Sequence, residues 1–293
     1  MYYIVYGIFY LLSLLPWRVI YIISDGIYGL LYYVVRYRRD VVDNNLLIAF
    51  PEKSEEERRQ ISKQFYKNFV DNFIEVIKFV SISKKELQKR FTFDYSIIND
   101  LYPTGRNIQL TLGHFFNWEF ANIAYAANIT YPIVLVYMPV ENKVFDRLFK
   151  KIRERFGTHL VAATRFRNEF FPYTKGRYAL GLVADQNPGG PENAYWTDFF
   201  ERKTAFVKGP ERNARMNNEI VILVNFYKTK RGYYHSEFEI VTKEPRSLPE
   251  GEVTKQMVAF IERCIRKRPA NYLWSHRRWK WQFDEAKFGK NII

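Results

Sequence analysis

Met1 to Trp17 carries no charged side chain, and from there to Val35 only Arg18 and Asp25 interrupt an apolar and aromatic run. The run closes on Arg36, Arg38 and Arg39. A full membrane span takes about 20 apolar residues, and the uninterrupted part stops short of that at Pro16-Trp17. A secretory leader is not expected, because no basic residue precedes the run and no small-residue cleavage motif follows it. Residues 1–39 therefore read as a membrane-anchoring segment, in one of two forms. One is a pair of short helices in the interface, held by Tyr and Trp rings and the arginine cluster; the other is a single tilted span. A buried hairpin in a soluble protein is the plainer alternative.

Aromatic residues make up 18% of the 293 residues, and such rings favour half-apolar, half-wet surroundings. The formal charge of +14 calls for an acidic partner: nucleic acid, anionic lipid or an acidic protein. A single cysteine, Cys264, excludes an intrachain disulfide and a Cys-rich zinc site.

Residues 40–293 read as one domain. Ser54 is a helix cap with Glu55, Glu56 and Glu57 behind it, where the helix dipole favours acids. Ile61, Phe65, Phe69, Phe73 and Ile77 then recur every four residues and mark a buried face. Beyond a basic patch at 84–90 the period changes to two. Asn107 to Leu112 alternates as a half-buried strand, and strands at 133–137, 159–162, 178–184 and 220–227 follow, separated by helices near 141–156, 166–174 and 206–216. Residues 233–241 pair back antiparallel on the preceding strand, and 252–268 is a last amphipathic helix. Alternation of this kind predicts an α/β fold with a mainly parallel central sheet flanked by helices.

His114 lies just past the strand ending at Leu112, with Asn117 as a cap for the next helix and Glu119 in its first turn. Open α/β sheets place their sites at this edge. Glu119 is close enough in sequence to accept a hydrogen bond from His114, which would fix the tautomer and leave the other ring nitrogen as a base. The spacing alone arises readily by chance, and a loop-filling His beside a dipole-serving Glu is the plain alternative. None of the other histidines, His159, His235 and His276, has an acid five residues on. Nucleophile-elbow, P-loop, zincin and dinucleotide motifs are absent. A base without a protein nucleophile suits activation of a substrate's own hydroxyl.

The H-x4-E pattern after a strand resembles the membrane acyltransferases that esterify lipid hydroxyls, and its surroundings resemble the secondary (lauroyl/myristoyl-type) acyltransferases of lipid A biosynthesis. Leu14-Leu-Pro-Trp17, Tyr37-Arg-Arg39 and Asn45 to Pro51 are similar to that family's amino-terminal pattern. Val183-Ala-Asp-Gln-Asn187, followed by Asp198-Phe-Phe200 and Thr204, resembles its D-Q-D…F-F…T block, and Pro269 to Lys280 resembles its closing block. Asn187 replaces the second acid, and Glu201 stands where the family often has Gly.

The resemblance implies acyl transfer from an acyl carrier protein thioester to a hydroxyl of a Kdo-bearing lipid A precursor, at the cytoplasmic face of an inner membrane. No metal or organic cofactor is implied. The expected site is His114 as base, Glu119 as its orienter, and Arg165, Asp185, Gln186, Thr204, Arg277 and Arg278 around the substrate, with a buried Arg165–Asp185 pair. Asp185 on its own reads more simply as a turn or cap residue.

Between Arg263 and Lys290 nine Lys/Arg face Asp284 and Glu285, interleaved with Trp274, Trp279, Trp281 and Phe283. Such a stretch suits phosphates and acyl chains together, although a charge run is usually a solvated face. Two rivals remain: the same dyad acting on a lysophospholipid or aminolipid, and a non-enzymatic basic protein bound to membranes or nucleic acid. Residues 1–35 weigh against nucleic acid.

Overall fold

The computed structural model describes residues 1–293. The chain opens with α1 (Tyr2–Leu14) and α2 (Trp17–Gly29), broken at Leu15-Pro16, and α2 runs on into a π-helical turn, Leu30–Val35. Helices α3 (Arg39–Ala49), α4 (Glu55–Phe79) and α5 (Lys84–Arg90) follow, then β1 (Phe91–Thr92) and the short α6 (Ser96–Asn99). The alternating part runs β2 (Ile108–Leu112), α7 (Trp118–Asn128), β3 (Ile133–Tyr137), α8 (Lys143–Arg153), β4 (His159–Ala162), α9 (Phe166–Phe170) and β5 (Ala179–Val183). A separate hairpin, β6 (Ala194–Phe199) and β7 (Arg202–Val207), comes next. The remaining elements are α10 (Gly209–Asn217), β8 (Ile220–Lys230), β9 (Tyr233–Thr242), α11 (Glu252–Lys267) and α12 (Glu285–Phe288).

Seven strands form the main sheet in the order β1-β9-β8-β2-β5-β3-β4. All pairings are parallel except β8 with β9. This is the α/β fold with a mainly parallel sheet that the sequence predicts. Every residue of β2 is buried, so it is not half-exposed as its alternation suggests. Helices cover both faces of a parallel sheet. The polar side chains of the alternation are satisfied inside instead: the Gln109 amide donates to Thr111 Oγ1 at 2.9 Å.

Local signals account for the start of α4. Ser54 Oγ accepts from the Glu57 N–H while Glu57 reaches back to the Ser54 N–H, closing a capping box. The aromatic face of α4 packs Phe65 and Phe69 against Phe116, and Phe73 against Trp118. Sequence periodicity misses α3 and the β6–β7 hairpin, whose last residues fall within the helix expected near 206–216. At the hairpin turn Phe200 and Glu201 have φ of +53° and +59°. Two successive positive φ values suit Gly, Asn or Asp, which explains why a glycine would fit the position of Glu201.

The amino-terminal helices lie on the body as a pair against α4. Ser13 Oγ donates to Ser81 Oγ (2.7 Å), the Lys78 ammonium to the Leu15 carbonyl (2.6 Å), and Ser24 Oγ to the buried Asp71 carboxylate (2.6 Å). Tyr21 donates to Glu75 at 3.0 Å. The stretch Trp17–Val35 is long and apolar enough to cross a membrane by length and composition, yet only 17% of it is buried. Ile4, Leu11, Ile22, Leu30 and Val34 all point outward.

Candidate active site

Parallel strands β2 and β5 are in register with Leu112 opposite Val183. His114 and Asp185 each lie two residues beyond those partners, so the sheet delivers both to one edge. There His114 Nδ1 donates to Asp185 Oδ1 at 2.6 Å. Asp185 is wholly buried while the His114 side chain keeps 22% of its surface open. Burial pushes the Asp185 carboxyl up, but the facing His114 ring outweighs it and holds the group at about 2. The carboxylate is therefore ionised at neutral pH. With Nδ1 donating to it, Nε2 is the free acceptor, and the Gln186 amide lies 3.2 Å from that nitrogen.

Glu119, expected behind His114, is elsewhere. Asn117 caps α7 as predicted, accepting from the Phe120 N–H at 3.1 Å. Glu119, one residue into the turn that follows, faces the carboxyl end of α8. There it makes a two-pronged pair with Arg153, including Nε to Oε2 at 2.9 Å. The pair complements both dipoles, an acid in the first turn of α7 and a cation in the last turn of α8. Arg153 was missed in the sequence, where the basic last turn of α8 was its one signal.

The expected Arg165–Asp185 pair does not form. Arg165 follows β4, the edge strand, with β3 standing between β4 and β5. Two strand spacings separate the two positions, about 10 Å. Arg165 is exposed and pairs with Glu169 at 2.7 Å.

The block from Pro269 onward is largely internal. The Phe116 N–H donates to the Asn271 carbonyl and the Leu273 N–H to that of His114, fastening the loop that carries His114. The neighbouring Tyr272 hydroxyl is pushed well up by burial and by the Asp185 charge. Arg278, expected on a substrate-facing surface, is 1% exposed. It donates to Asn187 Oδ1 (2.9 Å) and the Ala205 carbonyl (2.8 Å) and lies over the Phe206 ring. Burial lowers its pKa to about 10, so it stays charged and braces the Asp185–Asn187 loop against β7. Thr204, one residue before Ala205, is buried and bonds within its own strand, while Arg277 is exposed. His276 joins the same brace: its Nε2 accepts from the Asn187 N–H at 3.2 Å, and burial lowers its pKa to about 4. Asn45 in turn donates to the Trp274 and His276 carbonyls, tying α3 to the site.

A half-open histidine backed by a buried, ionised carboxylate is the apparatus of a general base. The chain belongs to the bacterial lipid A biosynthesis acyltransferase family, whose model matches residues 1–281. Among curated relatives it is similar to the lipid A biosynthesis lauroyltransferase of Escherichia coli K12, at 24% identity over 94% of this chain and 89% of the relative. The palmitoleoyltransferase of the same strain is 21% identical over the same shares, and its myristoyltransferase 21% identical over 78% of this chain and 71% of that one.

Proposed function

We propose that the protein transfers a fatty acyl chain from an acyl carrier protein thioester to a hydroxyl of a lipid A precursor, with His114 as the base and Asp185 as its orienter. The observation that carries this reading is the 2.6 Å bond from His114 Nδ1 to Asp185. It leaves Nε2 as a lone pair at the open edge of the sheet. An acceptor hydroxyl in the place of the Gln186 amide gives its proton to Nε2 as its oxygen attacks the thioester carbonyl. The imidazolium, stabilised by Asp185, then returns the proton to the departing thiolate, so the thioester C–S bond breaks as the ester C–O bond forms. Gln186 holds the ring until the hydroxyl arrives, and Glu119 acts by fixing α7 to α8 through Arg153. The brace of Arg278 and His276 holds the Asp185–Asn187 loop.

An acidic carrier and an anionic glycolipid both suit the net charge of +14. Residues 1–39, with their outward apolar side chains, rest in a membrane interface as a helix pair, on the cytoplasmic face where acyl carrier protein is found. Substrate contacts fall to the exposed Arg165 and Arg277.

The test is transfer of labelled acyl groups from acyl carrier protein to separate acceptors in detergent micelles. A Kdo-bearing lipid A precursor should be acylated, and lysophospholipid or an aminolipid left untouched. Acylation of lysophospholipid alone transfers the reading to that acceptor. Equal turnover by wild type and His114→Ala removes the catalytic reading and leaves a basic membrane-binding protein.

A further inference from the structure

A cavity of about 870 Å³ lies away from His114. It lies between α2, α4, the β8–β9 turn and the Pro269–Asn271 segment, and is lined by five cations and the two acids Asp25 and Asp71. Two of the cations are spent within the wall. Lys228 bonds Asp71 at 2.8 Å, and Arg231 bonds both Asp71 (2.8 Å) and Asp25 (2.7 Å). Lys67, Lys230 and Arg268 have no acidic partner. Their charged ends are instead set over rings: Lys67 over Tyr28, Lys230 over Tyr233, and Arg268 only 3.4 Å from the centre of Tyr227.

Two atoms in this wall are buried without any partner, Arg268 Nη1 and Asn271 Oδ1, and Asn271 is 94% buried. A buried donor and a buried acceptor without partners are both unfavourable, so the wall favours a ligand that pairs them. A complementary ligand offers acceptor oxygens and negative charge to Arg268, Lys67 and Lys230, and a hydroxyl to Asn271. The mouth includes Tyr28 of α2, whose neighbours Ile27 and Leu30 are exposed apolar residues.

We propose that this cavity binds the phosphate of a hydroxyl-bearing headgroup, delivered by an anionic lipid whose chains lie along the outer face of α2. The lipid as source rests on the interfacial reading of residues 1–39; the phosphate chemistry rests on the wall alone and not on the His114–Asp185 pair. Arg268 takes two phosphate oxygens through its planar fork, and Lys67 and Lys230 close over it from the rim.

The experiment uses the full chain in detergent and three probes: inorganic phosphate, sn-glycerol 3-phosphate, and phosphatidylcholine vesicles with and without phosphatidylglycerol. Variants are Lys67→Gln/Lys230→Gln/Arg268→Gln and, as an equal loss of charge elsewhere, Lys84→Gln/Lys85→Gln/Lys89→Gln. Titration calorimetry should show glycerol phosphate bound by wild type and the control, and weakened about tenfold or more in the cavity variant. Phosphatidylglycerol should raise vesicle binding of wild type and control but not of the cavity variant, with neutral-vesicle binding equal in all three. Binding of glycerol phosphate without any vesicle binding keeps the phosphate site and removes the lipid source along with the interfacial reading. Inorganic phosphate binding as well as glycerol phosphate keeps the site for free phosphate. Equal loss in the control and cavity variants, or no binding of any probe by wild type, overturns the proposal. Should the triple variant not fold, Lys67→Gln/Lys230→Gln on the exposed rim carries the same comparison with a smaller loss.

Discussion

Strand β5 carries a buried acidic network at each end, and the two are opposites. Past its carboxyl end Asp185 is buried against an imidazole and held at about 2, fully ionised at neutral pH. Before its amino end Tyr178 donates to Glu219 at 2.5 Å, joined by the Asn213 amide at 2.9 Å. Burial raises Glu219 to about 8, and these neutral donors offset it only in part. Depth is the same in both places; what differs is a partner that can carry positive charge. A buried carboxylate with such a partner keeps its charge and equips the partner to exchange protons, whereas one among neutral donors stores a proton and holds strands together.

The heaviest blow to this contrast is removal of the His114 imidazole. His114→Ala should cut acyl transfer by about 10²–10⁴-fold, read as kcat with labelled acyl carrier protein. A variant within about threefold of wild type would mean that the charged end of β5 is structural as well.

Next come the two candidate carboxylates, Asp185 at His114 and Glu119 at Arg153. Asp185→Asn keeps the shape but loses the charge that fixes the ring and stabilises imidazolium, so turnover should fall about 10²-fold or more. Glu119→Gln should act chiefly on folding. It strands Arg153 in a place where its side chain is only 16% exposed, and breaking a buried pair costs about 3–5 kcal/mol. Denaturant midpoints and kcat measured on both variants separate the two roles. A rate loss for Glu119→Gln as deep as that of Asp185→Asn, with stability intact, would restore Glu119 as the orienter.

The pairing of His114 with Asp185 was within reach of the sequence. Both strands are identifiable, parallel neighbours end on one edge of a sheet, and equal offsets past paired residues bring these two side chains together. What the pattern lacks is register between strands 71 residues apart, because the neighbour order β2-β5-β3-β4 is fixed by packing of the whole sheet. The same ignorance put Arg165 beside Asp185, when β3 intervenes. H-x4-E drew attention to Glu119 through proximity in sequence, yet a helix turns about 100° per residue and carried that side chain to α8. The closing aromatic block reads as surface by charge; only the fold shows Arg278 turned inward, because its partners Asn187 and Ala205 come from two other segments.

Smaller effects are expected on the outer face of the amino-terminal helices. Leu11 and Ile22 are 67% and 71% exposed. Leu11→Asp/Ile22→Asp should leave unfolding unchanged within about 0.5 kcal/mol per site. Vesicle co-sedimentation should fall about tenfold or more, since each burial of such a side chain contributes roughly 1.5–3 kcal/mol. Undiminished binding at high salt would place the membrane contact elsewhere.

The least conspicuous change is at the neutral end of β5, and it has a definite sign. Glu219 is protonated in the folded protein up to about pH 8 and in the unfolded chain only up to about its ordinary 4.5. Its contribution to stability is complete below 4.5 and is lost as pH rises through 8, at roughly 1.4 kcal/mol per pH unit while only the folded state holds the proton. His276 works in the other direction, losing stability as pH falls from 6.5 towards 4, so it does not contribute to a loss between 6.5 and 8. The buried Glu75 carboxyl, also raised by burial, shares the sign of Glu219, so the difference between wild type and Glu219→Gln is what reads Glu219. Asp185 is ionised in both states throughout that window and drops out. Urea unfolding of the detergent-solubilised protein should show wild type weakening from pH 6.5 to 8. Glu219→Gln, which has no proton to lose, should show a flatter course over the same interval with acyl transfer at fixed pH unaltered. Parallel curves for the two proteins would mean that Glu219 is ionised in the fold, and the contrast between the two ends of β5 would then have to rest on the histidine alone.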